Sequence, residues 1–254
     1  VIDTNFFNVI SFNIPGNGVD SYSWDSIDEI HTGHIAKLFL EGIKKIGISK
    51  IFAIIGGSIG GGISWEMVAI SPTICKHLIP VASDWKSTDW VIANTFIQKK
   101  ILENSNDPIR DARMHAMLMY RSHESLKNRF KRTKKGKSNL FNIESWLIHH
   151  GQALKDRFTL QGYLTVNHLL GKIDILRNKQ GFDSLMLPVS SQIHIISINS
   201  DLLFLANENK TTYNRLKKLG KICSYFEINS IHGHDAFLIE NMQIKTILST
   251  IFNK

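Results

Sequence analysis

Between residues 27 and 46 the apolar side chains Ile27, Ile30, Ile35, Leu38, Phe39, Ile43 and Ile46 recur every three or four positions. That spacing predicts an amphipathic helix, capped at Asp25 or Ser26 and ended near Gly47. The pattern then tightens. "KIFAII" (50 to 55) is a short β-branched run, and helical character returns after Ser58 through Trp65, Met67, Val68 and Ile70 until Pro72. A further apolar run, "HLIPVAS" (77 to 83), completes a strand, helix, strand order that predicts a parallel sheet covered by helices. Upstream, "FFNVISF" (6 to 12) reads as a short buried strand, and the Gly, Pro, Asn and Ser-rich stretch 13 to 23 as a loop.

From Asp89 to about Lys172 four or five helical stretches follow one another without a convincing strand, "VIANTFIQKKIL" and "IRDARMHAMLMY" among them. Strand signals return at 193 to 199 and 223 to 228, separated by the helix-like "ENKTTYNRLKKLG" and followed by "DAFLIENMQIKTILSTIF". The expected organisation is an α/β core over 1–88 and 181–254, interrupted by a helical insertion over 89–180. Neither an internal repeat nor a low-complexity segment breaks it.

Composition narrows the possibilities modestly. With 254 residues, 43% of them hydrophobic, the chain can bury one substantial core. A formal charge of +8 suits a nucleic-acid or membrane-surface partner, and equally an enzyme with a polyanionic substrate such as a nucleotide cofactor. Much of that charge sits in "KNRFKRTKKGK" (127 to 137), with seven Lys or Arg and no acid. It reads as a solvated helix end and loop, because its single Phe gives little for bases to stack on, and no nucleic-acid partner is expected. Cys75 and Cys223 are far apart and form no C-x-x-C pair, which suggests a reducing compartment without a disulfide framework. No apolar run approaches the ~20 residues of a membrane span. No leader-like segment opens the chain either, so a soluble cytoplasmic protein without a membrane partner is expected. The first residues, "VIDTNFF", lack an initiator Met, and the chain reads as a fragment or a trimmed product.

The chemistry concentrates around Ser58. Gly56-Gly57-Ser58-Ile59-Gly60 matches G-x-S-x-G between a strand and a helix, the setting that a nucleophile elbow requires. Larger flanking side chains would collide on so tight a turn and screen the hydroxyl. The following helix aims its first amides at the reacting centre, so the N–H of Ile59 can hold an oxyanion. A phosphate-cradling loop would need G-K-[S/T], and a dinucleotide fingerprint G-x-G-x-x-G; neither is present. Serine needs a base, and the base a carboxylate. Asp201 ends the run "IHIISINS", although a helix cap is an equally ordinary use of it. His234 follows the last strand run, where His232 competes with it. "HGHD" lacks the wider ligand set of a metal site, so no metal is expected. His31 and His34 read as partly exposed helix surface, and the adjacent His149 and His150 cannot face one site.

Together the blocks "VIDTNFF", "IIGGSIGG", "DARMHAMLMYRSHESLKNRF", "FNIESWLIHHGQALKDRF", "INSDLLFLANE" and "GHDAFLIE" resemble the homoserine O-acetyltransferases, acyl-transferring members of the α/β-hydrolase superfamily. The likeness covers nearly the whole chain. It implies an α/β-hydrolase fold with a mostly parallel sheet and a helical lid, with Ser58 as nucleophile, Asp201 as orienting acid and His234 as base. Asp235 matches the residue that meets the amino acid substrate. The implied reaction is ping-pong acyl transfer from acetyl-CoA, a co-substrate and not a bound cofactor, to homoserine in methionine biosynthesis, with a homodimer formed through the lid.

Two positions depart from the family. Where it carries an arginine in the first lid helix, this chain has Gln98, with Lys99 and Lys100 adjacent. The resemblance also starts late, so the fold is expected to be N-terminally incomplete. It would lack the loop that supplies a second oxyanion amide, and a strand would be missing between 6–12 and 50–55. A serine esterase or thioesterase with the same residues, a non-catalytic remnant, and acetyl against succinyl as donor all stay open.

Overall fold

The computed structural model describes residues 2–19, 22–177 and 181–252. The loop expected over 13–23 and the end of the insertion at residue 180 fall partly outside them. In chain order the elements are α1 (Thr32–Lys45), β1 (Ile51–Gly57), α2 (Ile59–Ile70), β2 (Cys75–Val81), α3 (Asp89–Asn104), α4 (Pro108–Tyr120), α5 (His123–Phe130), α6 (Asn142–Lys155) and α7 (Leu160–Gly171). They continue with α8 (Phe182–Met186), β3 (Gln192–Ile198), α9 (Ala206–Lys218), β4 (Cys223–Ile228), a 3-10 turn (Gly233–Asp235), α10 (Ala236–Ile239) and α11 (Asn241–Phe252).

The four strands form one parallel sheet in the order β1-β2-β3-β4. Parallel strands are covered on both faces, and these carry near-continuous apolar runs for that reason. Leu78, Ile193 and Ile195 pack on one side with Trp65 and Val68 of α2, Phe182 and Met186 of α8, and Leu216 of α9. Ile79, Val81, Ile196, Ile198 and Ile228 face the other side, against Leu248 and Ile251 of α11. Because every strand runs the same way, all the loops at the carboxyl ends open on one rim. Between β2 and β3 the chain leaves the sheet for α3 to α7, where α4 packs on α6 and α3 on α7.

Two expectations change. The segment 6–12 is not a strand: residues 7–14 carry no regular structure, and Phe6, Val9, Ile10 and Phe12 stay exposed. It runs beside β1 across a cavity of about 640 Å³ lined by both segments. Strand propensity without a hydrogen-bonded neighbour makes no strand. The first helix begins at Thr32 with His31 as its N-cap, so neither Asp25 nor Ser26 caps it, and Ile27 and Ile30 pack inward from the preceding turn. His31 accordingly stacks on His34 at 3.7 Å between ring centroids. Burial, then the nearby Arg177 charge, lower its pKa to about 4. The run after β4 divides into a 3-10 turn and two helices.

Candidate functional site

The elbow is built from backbone necessity. Ser58 sits between β1 and α2 with φ 53°, a left-handed conformation that side chains rarely adopt. Its amide is anchored to the Val81 carbonyl at 2.9 Å. A Cβ on Gly56 would lie 2.1 Å from the Gly60 carbonyl oxygen, and one on Gly61 2.5 Å from the Ser83 Cβ. Gly60 meets nothing within 4 Å. A Cβ on Gly57 would lie 2.9 Å from the Phe237 ring and one on Gly62 2.6 Å from Ile173, so four glycines are confined, of which Gly56 alone is a fixed glycine of the motif. Ile59 opens α2, so its N–H has no helical acceptor and stands beside the serine at the positive end of the helix.

The two partners arrive from the rims of β3 and β4. His234 Nε2 lies 2.9 Å from Ser58 Oγ, and His234 Nδ1 lies 2.7 Å from Asp201 Oδ2. Asp201 is 4% exposed and so is His234. The other carboxylate oxygen, Oδ1, accepts the amides of Leu203 at 2.7 Å and Phe204 at 3.0 Å. Asp201 does not cap the following helix, whose N-cap is Leu205; it closes the turn after β3 with one oxygen and holds the imidazole with the other. Burial works against a charged His234. The Asp201 charge and hydrogen bond, with the Asp235 charge behind them, outweigh it and raise the pKa above the ordinary histidine value.

The competition between His232 and His234 is settled by contacts with α5 and the turn before it. His232 Nδ1 is 3.0 Å from the Ser125 hydroxyl, and Ser122 donates to the Ile231 carbonyl. Between the two histidines, Gly233 (φ +70°) lies so close to the turn before α5 that a Cβ there would be 2.7 Å from Ser122 N and 2.9 Å from Tyr120 O. Rings of Tyr120, Phe204 and Phe237 stand 5.7, 5.9 and 5.6 Å from that of His234 and wall it in. Among the described residues no group of three His, Cys, Asp or Glu is placed to hold a metal ion.

Asp235 is beside the base, with its Oδ2 3.1 Å from Arg121 Nε. Gln98 is 7% exposed, its amide 2.7 Å from His115 Nδ1 and its carbonyl accepting Tyr163 OH at 3.2 Å. It lines a small cavity of about 60 Å³ whose wall includes Tyr120 and Leu203, neighbours of His234 and Asp201. Lys99 and Lys100 turn outward to Glu103, and Lys99 also to Asp28, so neither supplies a cation to this chamber. Sequence reasoning missed Arg113, whose guanidinium lies 5.3 Å from the centre of the Tyr120 ring and makes no ion pair among the described residues. A signal existed: Arg113 and Tyr120 are seven apart, on one face of α4.

Residues 3–137 match the family model described as alpha/beta hydrolase fold. The chain is 30% identical to a homoserine O-acetyltransferase from Methanococcus vannielii, with the match covering 100% of this chain and 58% of that protein. It therefore spans little more than half the length of that relative. Among solved structures, a homoserine O-acetyltransferase from Bacillus anthracis superposes with a TM-score of 0.78 at 18% identity, covering 94% of this chain and 70% of that one. An acetylester hydrolase from Corynebacterium glutamicum gives the same TM-score at 20% identity, covering 94% and 74%. These two likenesses show the fold. With more than half of its residues matched by the family model, the chain belongs to the α/β-hydrolase fold family.

Proposed function

We propose that this chain transfers an acetyl group from acetyl-CoA to the hydroxyl of homoserine through an acyl-serine intermediate, as the name of its Methanococcus relative suggests. The observation that carries the reading is the unbroken chain Ser58 Oγ, His234, Asp201 with contacts of 2.9 and 2.7 Å. His234 takes the hydroxyl proton, Ser58 attacks the thioester carbonyl, and the oxyanion rests on the Ile59 amide at the end of α2. Protonated His234, held by Asp201, then returns the proton to the departing thiolate. In the second half the acceptor hydroxyl replaces the thiol, is deprotonated by the same ring and takes the acetyl group.

An amino acid acceptor needs a cation for its carboxylate and an anion for its ammonium. Arg113 is the uncommitted guanidinium beside Tyr120, and a bidentate fork suits a carboxylate better than the neutral Gln98 amide does. Asp235 spends Oδ2 on Arg121, and its Oδ1 is left for the ammonium. Gln98 fixes Tyr163 and His115 at the wall of the chamber. Helices α3 to α7 cover the site and keep water from the acyl-enzyme.

Thiol release from acetyl-CoA, followed with and without homoserine, tests this directly. The expected result is O-acetylhomoserine formed in step with the thiol. Release indifferent to homoserine, with acetate as the product, overturns the transferase reading in favour of ester hydrolysis, the activity named for the Corynebacterium neighbour.

A further inference from the structure

The cationic run 127–137 is not used by the acyl-transfer chemistry. All seven of its Lys and Arg are exposed, and none forms an ion pair among the described residues. Residues 127–130 of the run end α5, and the rest folds into a compact hairpin. After α5, Lys131 and Arg132 both adopt left-handed backbone, φ 47° and 56°. Lys135 N then donates to Leu140 O at 2.9 Å, Asn142 N to Thr133 O at 2.9 Å, and Lys134 bridges Phe141. The nearby Glu144 is committed, accepting the Phe141 amide at 2.6 Å. Like charges held this densely without counter-ions repel one another, and a polyanion relieves that repulsion.

The hairpin also has an aromatic flank. Arg132 and Lys134 lie over the Phe141 ring at 5.4 and 5.7 Å, and Arg129 over both Phe130 and Trp146 at 5.4 Å. Between them is a hollow of about 380 Å³, lined by Arg129, Phe130, Thr133, Asn142 and Trp146 among others. Its distance from the chemistry follows from α5. That helix starts beside Ser122, which touches the His234 loop, and its eight residues span roughly 12 Å at 1.5 Å each. Cations and rings one helix length from the nucleophile suit a donor whose thioester and phosphorylated nucleotide are joined by a long arm.

We propose that the cationic segment Lys127–Lys137, which ends α5 and forms the hairpin after it, and the hollow beside it form the binding site for the phosphorylated adenosine end of the acyl-CoA donor, phosphates on the cations and adenine in the hollow. This rests on the acyl-CoA reading above.

Titration calorimetry with adenosine 3′,5′-bisphosphate tests it in the whole chain. The wild type binds, with affinity falling steeply as salt rises. In the triple variant Arg132→Ala, Lys134→Ala, Lys135→Ala the dissociation constant rises by roughly tenfold or more, and KM for acetyl-CoA rises in parallel while kcat stays within about twofold. No binding by the wild type, or equal binding by the folded variant, overturns the proposal. So does a single-stranded oligonucleotide that binds the hairpin and is not displaced by the bisphosphate, which would make the site one for nucleic acid. Acylation by p-nitrophenyl acetate, which carries no phosphate, separates the two readings. If that ester acylates the wild type and the bisphosphate does not bind, the nucleotide site alone falls. If the bisphosphate binds and acetyl-CoA is not cleaved, the acyl-transfer reading alone falls.

Discussion

Two serine–histidine chains hang on the same sheet. One joins Ser58, His234 and Asp201 at its carboxyl rim; the other joins Ser224, His194 and His77 across the amino-terminal halves of β4, β3 and β2. Their geometry is equally good. His194 Nδ1 is 2.7 Å from Ser224 Oγ, and its Nε2 is 3.0 Å from His77 Nδ1. What differs is the third member. Burial, then the like charge of His77, lower the His194 pKa to about 4, so it stays neutral and cannot hold a proton taken from serine at neutral pH. His234 meets a carboxylate and is raised instead. The surroundings differ as well: strand amides within the sheet are spent on the ladder, whereas Ile59 has one free. A hydrogen bond from serine to histidine is therefore not enough. In the proposed reading the carboxylate and the unspent amide make one of these chains a base and leave the other a structural link between strands.

The sharpest way to break the comparison is to remove one serine from each chain. Ser58→Ala is expected to lower acyl-enzyme formation from p-nitrophenyl acetate by about 10⁴-fold or more, and Ser224→Ala to leave it within about twofold. Comparable losses from both would end the distinction. Next is Asp201→Asn, which keeps the shape and removes the charge; a fall in kcat of about 10² to 10⁴-fold is expected, without loss of the cooperative thermal transition. An activity within a few fold of wild type would make Asp201 only the cap of the turn after β3.

The pH dependence carries opposite signs in the two chains. In the proposed reaction deprotonated His234 is the active form, and its pKa is raised, so kcat/KM should fall on acidification with an inflection above the ordinary histidine value of 6.5. An inflection below 6.5 contradicts the role given to Asp201. For His194 the folded pKa is lowered. The unfolded chain then binds the extra proton, and stability is lost as pH falls from about 6.5 toward 4. Chemical denaturation across that window should show His194→Gln with a shallower decline than the wild type. The difference, the smallest effect predicted, is on the order of 1 kcal/mol, because the ring is only partly shielded from solvent. Parallel curves would show that His194 does not carry the dependence.

What could be read from the residues follows the same divide between local and distant causes. The elbow is legible because a turn that tight excludes side chains, and Gly56 and Gly61 record the exclusion directly. The placing of Asp201 and His234 after strand runs needed only the parallel order of the sheet. The choice of His234 over His232 depends on Ser125, more than a hundred positions away, and nothing in "HGHD" encodes it. Gln98 could have been read as inward-facing, since Val91, Thr95, Gln98 and Leu102 form the buried stripe of α3 at helical spacing. The segment 6–12 shows the converse. Its residue types favour a strand, but an edge of β1 left across a cavity offers no ladder.

The bare backbone at Gly233 has a mechanical consequence. With the turn before α5 resting directly on the loop that carries the imidazole, the cover and the base form one part. Any shift of that turn is passed through bare backbone to the loop that carries His234, with no side chain between them to absorb it. A side chain at position 233 would have to wedge the two apart, since its Cβ alone would stand 2.7 Å from Ser122 N.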